Sequence, residues 1–170
     1  MEQKDYKLEI VLELLKEENH IRGIAKILNI NHMTIFRKIK ELFRENVVDF
    51  KEEGKNKKYF LKKTIEAKNY IYSAESYKLN KVLRKYPLLR TIIEKIQNDK
   101  RISLAVLFGS YAKGIAKPSS DIDIFIDTIN KKIKDEVGLI DSKLSIKIGK
   151  YDNSNLLIKE IEKNHANKGG

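Results

Sequence analysis

From Tyr6 to Leu15, the residues Leu8, Val11, Leu12 and Leu15 recur at three- and four-residue steps, with Ile10 and Leu14 widening the stripe. That spacing predicts an amphipathic helix. Lys16-Glu17-Glu18 closes it, ahead of a break at Asn19-His20. A second helix is expected over Ile21–Leu28, with Ile24, Ala25 and Leu28 on its apolar side. Asn29-Ile30-Asn31 makes a tight turn, and Asn31 is a natural cap for a third helix from His32 to about Glu45, in which Ile35, Ile39 and Leu42 face inward. Val47–Lys51 and Lys57–Leu61 then read as two strands of a hairpin around Glu52-Glu53-Gly54-Lys55-Asn56. Thr64 to Tyr86 has no glycine or proline and predicts a long helix ending before Pro87, which forces the preceding residue out of helical geometry. Leu88–Gln97 resumes as a helix, with Leu89, Ile92, Ile93 and Ile96 inward.

Beyond that point the period shortens. Val106-Leu107-Phe108 reads as a buried strand, Gly109-Ser110 as a turn into a short helix, and Ser120–Ile126 as a second strand. Alternation along that strand sets Asp121 and Asp123 on one face and Ile122, Ile124 and Ile126 on the other. A third strand is expected at Leu144–Gly149, with Ser145 and Lys147 sharing a face. Asn155–Ile161 predicts a short amphipathic helix, and Asn164–Gly170 a frayed polar tail. The pattern describes a two-domain α+β protein, with residues 1–63 and 101–170 as folded parts and 64–100 as a helical connector.

Two neighbouring carboxylates repel each other unless a cation lies between them, and a hard ion such as Mg²⁺ or Mn²⁺ suits that place. Backbone N–H groups at the Gly109-Ser110 turn suit phosphate oxygens. Together they describe a place for a metal–nucleoside triphosphate. A Gly-Ser pair followed about ten residues later by Asp-x-Asp resembles the minimal nucleotidyltransferase branch of the DNA polymerase β-like nucleotidyltransferase superfamily, over roughly Arg101 to the C-terminus. The resemblance implies that Gly109 and Ser110 contact the triphosphate and that Asp121 and Asp123 are catalytic metal ligands. It also implies a third carboxylate on the next strand, where this chain offers Ser145 and Lys147; Asp141 precedes that strand and Asp152 follows it. Lys147 could neutralise phosphate charge or replace a second metal.

Two short helices joined by a three-residue turn, the second basic on its outer face, form a helix-turn-helix. Followed by a basic hairpin, residues 6–63 resemble the winged helix-turn-helix family of archaeal and bacterial DNA-binding domains. The resemblance implies that Asn31, His32, Thr34, Phe36 and Arg37 face the major groove of double-stranded DNA, while Lys38, Lys40, Lys55, Lys57 and Lys58 meet phosphates. The alternative is a protein-docking module with solvated lysines.

Charge sharpens this division. The chain of 170 residues carries a formal net charge of +11. Residues 1–100 hold 23 Lys+Arg against 15 Asp+Glu, and residues 101–170 hold 12 against 9, so the first part carries most of the field that attracts a polyanion. The absence of cysteine excludes disulfides and cysteine-bound zinc, and fits a cytoplasmic location. No apolar run approaches a membrane span, and Met1–Asp5 does not open a signal peptide. The apolar helix 64–86 could be a homodimer seam. Three readings follow: a nucleotidyltransferase acting on an unknown acceptor, a DNA-binding regulator that senses nucleotide without turnover, and, from the resemblance alone, an antitoxin partner of a small helical toxin.

Overall fold

The structure is a computed structural model that describes residues 4–152 and 166–167. By its contacts the chain divides into two compact units, Met1–Tyr77 and Lys78–Gly170.

In the first unit, helix α1 (Tyr6–Lys16) opens on Asp5, whose carboxylate accepts from the Lys7 and Leu8 amides at 3.0 and 3.2 Å. This satisfies donors that a helix start leaves without intrahelical partners. Helix α2 (Ile21–Leu28) ends on Asn29 in the left-handed region, and Asn31 Oδ1 accepts from the Met33 amide at 2.8 Å to start α3 (His32–Arg44). The capping predicted for Asn31 is therefore present. Strands β2 (Val48–Glu53) and β3 (Asn56–Leu61) pair antiparallel from Val48↔Leu61 to Glu53↔Asn56, so the hairpin runs closer to its tip than the sequence pattern suggested. The left-handed turn is supplied by Gly54 (φ 63°). A further strand, β1 (Asn19–His20), adds to β3 where only a break was expected. Its two residues carry no sequence signal, since pairing with Lys58 and Tyr59 is what makes them a strand. The order α1-β1-α2-α3-β2-β3, with a hairpin after the third helix, is a winged helix.

Its core gathers Ile10, Val11 and Leu14 of α1, Ile24 and Ala25 of α2, Ile35, Ile39 and Leu42 of α3, and Val47, Val48 and Tyr59 of the wing. Helix α4 (Ile65–Lys85) contributes Ala67 and Ala74 to this core. The boundary between units falls inside α4, and Val82, further along, belongs to the second core.

The second unit adds α5 (Leu89–Asn98), β4 (Ala105–Phe108), α6 (Gly109–Ala112), β5 (Ile122–Asp127), α7 (Lys131–Gly138), β6 (Leu144–Gly149) and β7 (Ala166–Asn167). Its sheet has the order β6-β5-β4-β7 and is mixed: β4 runs antiparallel to β5 and β7, while β5 and β6 are parallel. A parallel pair needs a crossover, and α7 supplies it. This helix was not anticipated, although Asn130 capping the Lys132 amide and the Ile133/Val137 spacing are legible signals. One sheet face, with Leu107, Ile122, Ile124, Ile126 and Ile146, packs in a core with Leu89, Ile92, Ile96, Ile133 and Val137. The opposite face holds a small cluster of Val106 and Phe125, flanked by Phe108 and Tyr151. Asn155–Ile161, expected to be helical, lies outside the described residues. The polar tail expected to fray instead supplies β7, pairing Ala166 with Leu107 and Asn167 with Val106; backbone pairing along an open edge decides that, and polarity does not.

Candidate functional site

Strand β4 delivers the chain into Gly109, which adopts φ 70° and begins the single turn of α6. A side chain there is excluded twice. The left-handed backbone disfavours one, and an added Cβ would stand 2.3 Å from Asp123 Oδ2. The turn thus rests directly on the Asp123 carboxylate. Register explains the approach, because Phe108 of β4 is paired with Asp123 of β5.

Asp121 stands one residue before β5 and is exposed, while Asp123 is half-buried inside it. The alternation expected over the whole stretch therefore begins at Ile122, and the position of Asp121 is set by the end of the Lys117–Ser120 turn. In that turn the Ser120 amide donates to the Lys117 carbonyl at 2.9 Å and Ser120 Oγ accepts from the Lys117 amide at 2.9 Å. The aspartates still sense each other. Burial raises the Asp123 carboxyl above its ordinary range, the neighbouring Ser145 hydroxyl opposes that, the Asp121 charge adds to it, and the Lys147 charge opposes it. Ser145 is paired with Asp123 across the parallel β5–β6 ladder, with Lys147 two residues further along the same face.

The structure sets Gly109 against Asp123, with Ser110 following in α6 and Asp121 just ahead of β5, and carries Ser145 and Lys147 on the strand where a third acid was expected. Two further acids are engaged elsewhere. Asp127 Oδ1 accepts from the Tyr151 amide at 3.1 Å, and Asp141 Oδ1 from the Lys143 amide at 2.8 Å. Among the described residues no three His, Asp or Glu side chains cluster as a metal site. Two carboxylates beside a side-chain-free turn do fit Mg²⁺, which is commonly bound by one or two carboxylates together with waters and substrate phosphates.

The second candidate surface lies on the winged helix. A groove of about 680 Å³ runs between the start of α2, the start of α3 and the wing, lined among others by Arg22, His32, Met33, Phe36, Lys55 and Lys57. Of the residues expected to face DNA, His32 and Arg37 are exposed, Thr34 and Phe36 half-buried, and Asn31 is occupied with capping α3. Lys40 lies over the Phe36 ring at 4.8 Å and Lys57 over the Phe50 ring at 4.0 Å. Lys38 is bonded to Glu41 at 3.0 Å, and Lys58 approaches Glu53 at 3.9 Å, so both are partly neutralised where Lys55 is not. Arg22 lines the same groove and was missed; an isolated arginine at the second position of a helix carries no pattern. His20 ties this edge to the wing, with Nδ1 2.9 Å from the Lys57 carbonyl and Nε2 3.1 Å from Glu53.

The model of the family described as Polymerase beta, Nucleotidyltransferase matches residues 90–167. The second unit carries a nucleotidyltransferase-type domain. The match runs from within α5 to β7 and includes Gly109, Ser110, Asp121, Asp123 and the strand bearing Ser145. No curated protein matches the chain. Seven solved chains match, among them the crystal structure of the adhesin competence repressor (AdcR) from Streptococcus pyogenes, C-terminally His tagged. That repressor is 18% identical, with a TM-score of 0.43, and the match covers 55% of this chain and 76% of the repressor. The winged-helix assignment rests on the element order of the first unit itself. Among the described residues, no helix is long and apolar enough to cross a membrane.

Proposed function

We propose that this chain is a cytoplasmic DNA-binding protein whose nucleotidyltransferase-type domain binds a Mg²⁺–nucleoside triphosphate and transfers a nucleotidyl group to an acceptor hydroxyl or phosphate. The observation that supports this most is the contact between Gly109 and Asp123: only a residue without a side chain lets the phosphate-facing turn close onto the carboxylate. Gly109 and Ser110 would hold the triphosphate, and Asp121 with Asp123 would hold the ion. Mg²⁺, when bound, would neutralise triphosphate charge. The acceptor oxygen attacks the α-phosphorus, the bond to the β-phosphate oxygen breaks, and pyrophosphate leaves. Positioning and charge neutralisation are what such a site contributes.

Double-stranded DNA would lie against α3 and the wing, with His32 and Arg37 toward base edges and Lys55, Lys57 and Arg22 toward phosphates. Ile65 and Tyr72 leave an apolar stripe exposed on α4 that suits a second copy of the chain.

A second reading is favoured by one observation, the hydroxyl of Ser145 opposite Asp123 where a third carboxylate would complete the catalytic set. In that reading the chain is a regulator, or an antitoxin paired with a helical toxin, and the domain senses nucleotide without turning it over. Incubation with radiolabelled ATP, CTP, GTP and UTP plus Mg²⁺ or Mn²⁺ separates the two. Label transfer that disappears in Asp121→Asn and Asp123→Asn supports the enzyme, and nucleotide binding without transfer to any acceptor supports the sensor. Absence of nucleotide binding overturns both.

A further inference from the structure

We infer that the nucleotide site works with one divalent ion per triphosphate, with the Lys147 ammonium supplying the positive charge that a second ion would otherwise bring and Ser145 acting as the positioning residue for Asp123. This rests on the nucleotide-binding reading above and goes beyond it, because two-ion phosphoryl transfer holds both the attacking and the leaving oxygen between metals about 3.5–4 Å apart.

Ligand supply decides the count. Two ions bring four positive charges, and the described residues offer Asp121 and Asp123 with no third acid or histidine grouped beside them. Asp123 is itself restricted, since Oδ2 packs against the Gly109 backbone. The β6 residue in register with Asp123 is a serine, on the same sheet face as that carboxylate. A hydroxyl at that place is a donor suited to steadying the carboxylate and adds no negative charge. Asp127, on the same strand face, accepts from the Tyr151 amide and sits opposite Gly149 at the far end of the ladder.

Lys147 occupies the remaining place. It shares a sheet face with Ser145, two residues further along β6 and in register with Phe125, is exposed, and forms no ion pair with a carboxylate among the described residues. An ammonium there would repel a second divalent ion and attract a phosphate oxygen. A lysine gives three rotatable donors on a flexible stem, which suits a triphosphate held in more than one geometry.

The test uses the full chain, a non-hydrolysable ATP analogue and Mn²⁺, with bound ions counted by electron paramagnetic resonance and affinity measured by calorimetry. Wild type is expected to bind one tight Mn²⁺ per bound triphosphate. Lys147→Ala should weaken the analogue by roughly tenfold, the scale of one charge-assisted hydrogen bond, with the ion count unchanged, and Lys147→Arg should recover most of the loss. Ser145→Ala should weaken Mn²⁺ several-fold, with rescue by Ser145→Thr, which a purely structural role would not show. Ser145→Asp should admit a second ion. Two tight Mn²⁺ ions per triphosphate in wild type would overturn the inference while leaving nucleotide binding intact. Failure of wild type to bind the analogue at all would overturn the nucleotide-binding reading, and this inference with it.

Discussion

Gly54 and Gly109 share a backbone conformation and nothing else. Both are left-handed, at φ 63° and 70°. Around Gly54, at the wing tip, a Cβ would meet no atom within 4 Å, whereas at Gly109 it would collide with Asp123. The difference separates the two units. The winged helix displays exposed cations on regular elements around a shallow groove, so its surface tolerates change one residue at a time. In the nucleotidyltransferase-type domain the candidate site is a turn closely packed against a strand, so single atoms matter there.

The largest effect should come from the strand that carries the aspartates. Ile122 is fully buried between Asp121 and Asp123, and Ile122→Ala is expected to cost about 2–5 kcal/mol, the usual range for truncating a packed isoleucine. Thermal melting would register that loss, and retained DNA binding in the same variant would show that the winged helix stands by itself. Gly109→Ala should cost about 1–2 kcal/mol for the left-handed backbone alone, with a further penalty from the Asp123 contact, and should abolish nucleotide binding by calorimetry. Gly54→Ala, strained in the same way but uncrowded, should cost only about 1–2 kcal/mol and leave DNA binding close to wild type. Equal losses at both glycines would break the comparison.

Changing Lys55, Lys57 and Lys58 together to alanine tests the winged-helix side. Each phosphate that is no longer neutralised lowers the slope of log affinity against log salt by about 0.9, so the slope should fall by about two to three, with Lys58 contributing least because Glu53 already faces it. An unchanged slope in DNA-binding titrations would remove the wing from the interface.

The smallest effect concerns pH. Glu45 is held below the ordinary glutamate range by its hydrogen bond from Lys7, then by that from Tyr70, with burial opposing both. A lowered carboxyl stabilises the fold above its unfolded pKa, and that contribution disappears as pH falls through the folded value. Because the pair is partly exposed to solvent, Glu45→Gln should cost no more than about 1 kcal/mol at neutral pH and nothing in strong acid, as read from melting temperatures across an acid series.

What the sequence made legible follows the same division. Helices α1 to α3 were readable because apolar residues recur at helical spacing within each and Asn31 marks a start, although the buried face of α1 is Ile10, Val11 and Leu14, and Leu15 of the expected stripe is exposed. Strand β1 was not, because a two-residue strand exists only through its partner on β3. In the second unit the Gly-Ser turn and the aspartate pair were visible as residue types at a spacing. The collision that makes Gly109 obligatory was hidden, since it depends on Phe108 facing Asp123 across the β4–β5 ladder. Ser145 was noticed as a departure from an expected acid, and its place opposite Asp123 emerged only with the parallel register.

The two-residue strand Ala166–Asn167 has a practical consequence for anyone trimming this protein. It covers part of the outer border of β4, and a shortened version stopping after β6 would leave the main-chain groups of Val106 and Leu107 seeking a substitute. Uncapped strand borders recruit neighbouring molecules, so such a fragment is expected to self-associate and to report misleadingly on oligomer size.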